Sequence, residues 1–409
     1  MIEASKLNRT FRNLIEKKIN EYLSLKNDLH KCLYPSCSKQ AINSHAISKE
    51  ISLRTIAFEG NLKSFESKRK SEVHKILKCE SVGITEATTF KGFCKEHDDL
   101  FAGIDLSDKK ENFYEILLQA YRSICFSYHK ANLVNIIELE RRIFIDKYLN
   151  SIETFKEILK QDEDFSNIDK LPNDELEKYF NEFKTESKQE IKSYESELLE
   201  TYKSNIENKI VHNLNNNDHH KYEIDSHCYL EENFELCIFY KRLDFKIPIA
   251  MVNHYNILIK DCRSIFLCTC IPYENSTEIY WIFEKKFYNV FLYQWDNVFK
   301  RKLNILDMIE NGMVLSENWY VSSDVIDSIP VNRFNIIQDD IYFVNERKPF
   351  DNYDISIFDA LRKQFLNEEN LFIKKQFDKL TGIVQRKSND ERMNNFICDC
   401  KENQVKYRL

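Results

Sequence analysis

The chain has little of what loosens a polypeptide. Glycine and proline number only six each in 409 residues. That excludes a low-complexity or linker-like protein and leaves a chain of regular, packed elements. It lacks any apolar run near the roughly 20 residues that span a bilayer, so no membrane association is expected. The opening MIEASKLNRTFRNLIEKK has no apolar core of a secretory leader, and the expected location is the cytoplasm. Excess positive charge is also missing, with 59 Lys/Arg against 66 Asp/Glu and a formal net charge of −7. A chain-wide electrostatic pull on nucleic acid is therefore excluded. No internal repeat is evident.

What is present is a length sufficient for two or three domains with their own cores, and many aromatics, 29 Phe and 21 Tyr. Charge is uneven. Residues 1–100 hold 18 Lys/Arg against 13 Asp/Glu, and the remainder 41 against 53. A mildly basic front is compatible with phosphate contact, although a solvated surface is the simpler reading of charge alone. Twelve cysteines in a reducing compartment favour metal binding over disulfides.

The most specific stretch runs from Cys32 to Phe101. Cys32 and Cys37 flank Pro35 and Ser36, turn residues that bend both sulfurs toward one point. Cys94 and His97 follow, placed on the first turn of a helix beginning near Phe93. Three thiolates and an imidazole suit a tetrahedral structural zinc ion. Between them lie a short strand carrying Ala41, Ile42 and His45, a polar, partly helical insertion from Ile47 to about Cys79 with a basic run at Lys68–Lys70, and a strand or tight turn over residues 82–91. A zinc knuckle, a strand and a ligand-bearing helix form a treble-clef arrangement.

The rest of the chain divides by pattern. Residues 5–30 and 110–150 carry apolar residues at helical spacing. A further helix is expected near 151–164, and one from Asn173 or Asp174 to about Ile210 after Pro172. Its narrow stripe fits a long helical hairpin or, as the rival, a dimer seam. The Asn-rich loop 213–220 marks a boundary, and solvated side chains are the simpler reading of its His219 and His220. Beyond it, ELCIFY, KIPIAMVN, YNILI, SIFLCTCI, EIYWIFEKK and NVFLYQW read as strands. Helices are expected at 302–311, 322–328 and 354–380. Cys268 and Cys270 fall on one strand face and read as core cysteines. Cys398 and Cys400 lie in a charged tail with no evident partner. The expected organisation is α+β: a helix plus zinc module over 1–105, a helical domain over 106–212, and a β-rich domain over 221–409.

The zinc module resembles that of the HNH endonucleases, built on a ββα-metal core. The resemblance covers about 70 residues. It implies that His45, within Ser44-His45-Ala46-Ile47, is a general base acting on water. Asp98, following Cys94-Lys95-Glu96-His97, stands where the family has the last histidine and would hold Mg²⁺ or Mn²⁺. Family spacing counted back from Asp98 gives Thr89 where the family has asparagine. Ser44 stands where the family often has an acidic ligand. Cys32, Cys37, Cys94 and His97 would bind structural zinc, although His97 and Asp98 can exchange roles. Lys91, Lys95 or the Lys68–Lys70 run would contact phosphate. A looser similarity, carried by Gly92 to Asp98 with Leu100 and Phe101, is to bacterial proteins associated with defence against phage. The implied function is metal-dependent cleavage of DNA or RNA, in antiviral defence. Two rivals stand beside it: a non-catalytic zinc module that contacts nucleic acid or protein, and a scaffold dimerising through residues 173–210.

Overall fold

The computed structural model describes residues 30–66, 78–148, 151–160, 194–216, 228–229, 235–369, 374–382, 384–402 and 407–408, with a few isolated positions. Nearly all of the helix expected at 5–30, the Lys68–Lys70 run, His219 and His220, and most of residues 161–193 lie outside this set.

The first elements build the front of the molecule. They are β1 (Asn43–His45), β2 (Asn61–Glu66), β3 (Lys78–Gly83), β4 (Thr89–Lys91), α1 (Lys95–Asp98) and α2 (Ala102–Leu106). A helical middle follows: α3 (Phe113–Tyr148), α4 (Ile152–Leu159) and α5 (Tyr194–Asn216). The remaining strands are β5 (Cys228–Tyr229), β6 (Leu236–Leu243), β7 (Ile249–Ile259), β8 (Cys262–Pro272), β9 (Thr277–Glu284), β10 (Trp319–Val321) and β11 (Tyr407–Arg408). Among them lie helices α6 (Tyr288–Phe299), α7 (Lys302–Leu315), α8 (Ser323–Asp327), α9 (Val331–Tyr342), α10 (Asp359–Glu368), α11 (Lys374–Thr381) and α12 (Asn389–Glu402).

One sheet of nine strands runs β3-β2-β10-β7-β8-β9-β6-β5, with β11 joining β7 in parallel and every other pairing antiparallel. Alternation along each central strand feeds two separate cores. On β8, Phe266, Cys268 and Cys270 enter a core packed with α6, α7, α9 and α10. Ile265, Leu267 and Ile271 enter another, shared with the front module, α3 and α5. A sheet covered on both faces needs apolar residues at consecutive positions, which is why these strands read as unbroken apolar runs. The expected core role of Cys268 and Cys270 holds, since both are buried free thiols.

Several elements depart from the expectation. The segment between Ile47 and Cys79 is not merely a polar insertion. After helical turns at Lys49–Leu53 and Arg54–Ile56, it supplies β2 and β3 to the large sheet. NVFLYQW is not a strand but lies within α6, where Phe291, Trp295 and Val298 are buried at helical intervals. Its aromatic content mimicked strand composition, and only the i, i+4, i+7 spacing separates the two. Helix α9 went unanticipated because its buried face includes Arg333 and Asp340, which breaks the apolar stripe. The helix expected over 354–380 is two helices, α10 and α11, preceded by a segment burying Tyr353, Ile355, Ile357 and Phe358. Cys398 and Cys400, expected in a charged tail, fall within α12.

Candidate metal centre and the His45 strand pair

Cys32 and Cys37 sit in a tight hairpin closed by the Lys31–Gln40 bridge. The Cys32 N–H donates to Lys39 O at 2.9 Å and the Cys37 N–H to Tyr34 O at 3.2 Å. Ser36, at φ 59°, supplies the left-handed residue that lets the turn double back. Cys94 caps α1, and the His97 and Asp98 N–H groups donate to its carbonyl at 3.0 and 2.8 Å. The expected arrangement on the first helical turn is therefore present.

The ligand atoms of Cys32, Cys37, Cys94 and His97 all lie within 4.8 Å of one another. Nδ1 of His97 is 3.4 Å from Sγ of Cys32 and 3.4 Å from Sγ of Cys94, and Cys37 Sγ is 3.9 Å from Cys94 Sγ. A tetrahedral zinc ion with ordinary bond lengths sets S···N edges at about 3.5 Å and S···S edges at about 3.8 Å. The donor set therefore fits such an ion in size and chemistry, and the group can bind a metal such as zinc. Burial pushes the Cys32 thiol up. At Cys94, burial opposes ionisation, but hydrogen bonds from the His97 backbone and from Cys32 and Cys37 prevail and pull that thiol down. Crowded sulfurs that cannot all ionise alone are what a divalent cation relieves.

Sequence reasoning missed Tyr34, whose ring stacks on His97 with centroids 3.9 Å apart and planes 18° from parallel. No spacing rule marks a tyrosine between two cysteines as a support for a third ligand. Tyr121 of α3 donates to Leu33 O at 3.3 Å and to Glu207 of α5 at 2.8 Å, so the hairpin is tied to the helical middle.

β1 and β4 pair antiparallel, and His45 stands directly opposite Thr89. Two residues 44 positions apart thus share one face. Nε2 of His45 lies 3.2 Å from Ile84 O. A carbonyl only accepts, so in the neutral ring the proton sits on Nε2 and Nδ1 keeps a free lone pair. Burial, reinforced by Lys49 and Arg122, holds the His45 pKa below the ordinary value against the opposing Ile84 bond. Thr89 Oγ1 donates to Thr85 O at 3.0 Å, which leaves its oxygen as an acceptor only.

Asp98 is placed differently. It is hydrogen-bonded to Ser44, and Ser44 and His45, as successive strand residues, face opposite sides of β1. Burial raises the Asp98 carboxyl, Ser44 and Arg122 oppose that shift, and the charges of Asp105 and His45 also reach it. Ser44, where an acidic ligand was the family pattern, also accepts the Phe93 N–H at 3.2 Å. Lys91 pairs across from Asn43, and Lys95 is exposed on α1. Among the described residues, the Cys32, Cys37, Cys94 and His97 group is the one set of three or more such side chains whose donor atoms converge.

No protein-family model matches the chain, and no curated protein or solved structure matches it. None of the described helices is long and apolar enough to cross a membrane.

Proposed function

We propose that this chain is a metal-dependent nuclease of the HNH type, cleaving phosphodiester bonds of DNA or RNA, with antiviral defence as its setting. The observation that carries the reading is the His45–Thr89 pair across β1 and β4, beside a Cys₃His group of zinc dimensions. In this reading the front module is a treble clef whose structural zinc would join the Cys32–Cys37 hairpin to α1. His45 is the general base. Its Nε2–H is engaged by Ile84 O, so Nδ1 takes the proton from a water as that water attacks phosphorus. Burial keeps the ring neutral, the form a base needs. Thr89 Oγ1 accepts a hydrogen bond from the same water. Asp98 is the carboxylate that would hold Mg²⁺ or Mn²⁺, an ion supplying positive charge at the leaving oxygen. With no second converging donor set among the described residues, the protein steps assigned are those of His45 and Thr89. Lys91 and Lys95 would contact phosphate.

The test is cleavage by the purified chain of plasmid, single-stranded DNA and total RNA with Mg²⁺, Mn²⁺ or Ni²⁺, beside His45→Ala, with zinc measured in both. The expected outcome is cleavage by the wild type alone and equal zinc in both. Equal activity in the two proteins would remove the catalytic role of His45. A zinc-loaded, folded wild type that cleaves nothing would support the non-catalytic zinc module.

A further inference from the structure

The proposed centre is not built by residues 32–101 alone. Ile84, whose carbonyl engages His45, is the first residue past β3, and its N–H donates to Gly60 O at 3.0 Å. β3 pairs with β2 along its whole length, from Asn61 opposite Gly83 to Glu66 opposite Lys78. β2 in turn joins β10 at Lys63 and Val321, and buried Ser64 donates to Trp319 O at 2.6 Å. The partner of the His45 ring thus hangs from the large sheet.

A second connection reaches the centre from the other side. Residues 102–112 cross from the metal module to α3. Asp105 lies on this crossing. Its carbonyl accepts from Ser48 Oγ at 3.2 Å, three residues past His45, and its Oδ1 accepts from Arg122 at 2.7 Å. The crossing is held to the sheet by Lys110. Its Nζ donates to Tyr273 OH at 3.0 Å and to Ile104 O at 3.4 Å. Tyr273 passes the connection to Glu278 at 3.2 Å, and Glu278 also accepts from Tyr240 at 2.8 Å and Tyr280 at 2.9 Å. Lys110 is 1% exposed and Glu278 fully buried. Burying Lys110 and Glu278 carries a desolvation cost that their attraction repays only with good geometry.

We propose that the large sheet is a working part of the His45 centre, holding it through Ile84 on one side and through Tyr273 and Lys110 on the other, and that Lys110 and Tyr273 are positioning residues of that centre. The charges of Asp105 and Arg122, both tied into the second connection, act on His45.

The experiment uses the full chain with zinc bound and ¹⁵N-labelled histidine, and His45→Gln to identify the His45 signals among ten histidines. Two variants each delete one hydroxyl, Tyr273→Phe on one connection and Ser64→Ala on the other. Each is expected to shift the His45 ring nitrogen signals from the Nε2–H pattern of the wild type, with zinc stoichiometry unchanged. A signal that stays in place in either folded variant removes that connection from the centre, and in both it overturns the proposal. The inference rests on His45 being the reacting group, but its readout is not cleavage. Shifted signals in a chain that cleaves nothing would leave the positioning intact and remove the nuclease reading. Unmoved signals in a chain that cleaves would do the reverse. Where cleavage is present, both variants are expected to lower turnover about tenfold or more, with KM little changed.

Discussion

At the scale of single residues, histidines decide how the protein responds to acid. His129 of α3 packs its ring against Phe90 and against His30, with centroids 5.8 and 5.7 Å apart. Burial, helped by the charges of His30 and Lys130, lowers its pKa to about 4. A histidine whose folded pKa lies below its unfolded value binds its proton more readily when unfolded. Its contribution is fully present above about pH 6.5 and is lost as the pH falls toward 4. At about pH 5 the loss is about 2 kcal/mol. Urea denaturation is expected to show stability falling over this window, and His129→Gln to flatten the fall. An identical slope in both proteins would place the acid sensitivity elsewhere. His45 shifts in the same direction, so its base form persists to mildly acidic pH.

At the scale of elements, the helices on the far face of the sheet are fastened by buried ions. Arg362 of α10 is fully buried. It meets Asp307 of α7 at 2.9 Å, and also Glu310 of α7 and Gln376 of α11. Lys379 of α11 shares Asp307 at 2.6 Å. Glu310 also accepts the Ile357 and Phe358 N–H groups at 2.8 and 3.0 Å, fixing the chain that leads into α10. Arg362→Met leaves a buried carboxylate without its cation and is expected to cost about 3–5 kcal/mol, read by chemical denaturation. Adding Glu310→Gln keeps an acceptor for both N–H groups and is expected to recover part of that loss. No recovery would mean that packing, not charge, is what Arg362 provides. Buried polar residues also explain why α9 was not expected and why α10 and α11 read as one helix. Their inward faces carry Arg333, Asp340, Arg362, Gln376 and Lys379, and a periodicity argument treats such residues as outward. The metal hairpin is the opposite case. Cys32, Pro35, Ser36 and Cys37 specify a local turn, and the structure forms it from the same short span.

At the scale of the whole molecule, the sheet is the wall between two cores, and residues from both halves of the sequence build it. β2 and β3 come from the front module, yet they pair through β10 with β7. The front core also depends on Ile238, Tyr240, Ile265, Leu267 and Ile282 from β6, β8 and β9. A chain ending at residue 220 would expose that face and leave β2 paired with β3 but without β10 on its other edge. It is expected to lose dispersed amide signals and tight zinc retention, which heteronuclear spectra and metal analysis would show. A well-folded, zinc-bound fragment would demonstrate instead that the front module stands alone.

What the sequence by itself determined was local. The four candidate zinc ligands were legible because a metal site advertises itself through residue type and short spacing. The helical middle was legible because burial of one face imposes a period, and most strands, with the core cysteines on β8, because their runs are apolar, β-branched and aromatic. His45 was legible only through a family resemblance. Its register with Thr89, its Ile84 partner and the Ser44–Asp98 hydrogen bond were not, since each depends on segments that meet across long separations. Tertiary structure alone decided those, together with the membership of β2 and β3 in the sheet. The physical reason is one of range. Spacing and periodicity record what a residue does for its own helix or strand, whereas pairing across 40 or 250 residues is settled by which surfaces the folded chain can bury together.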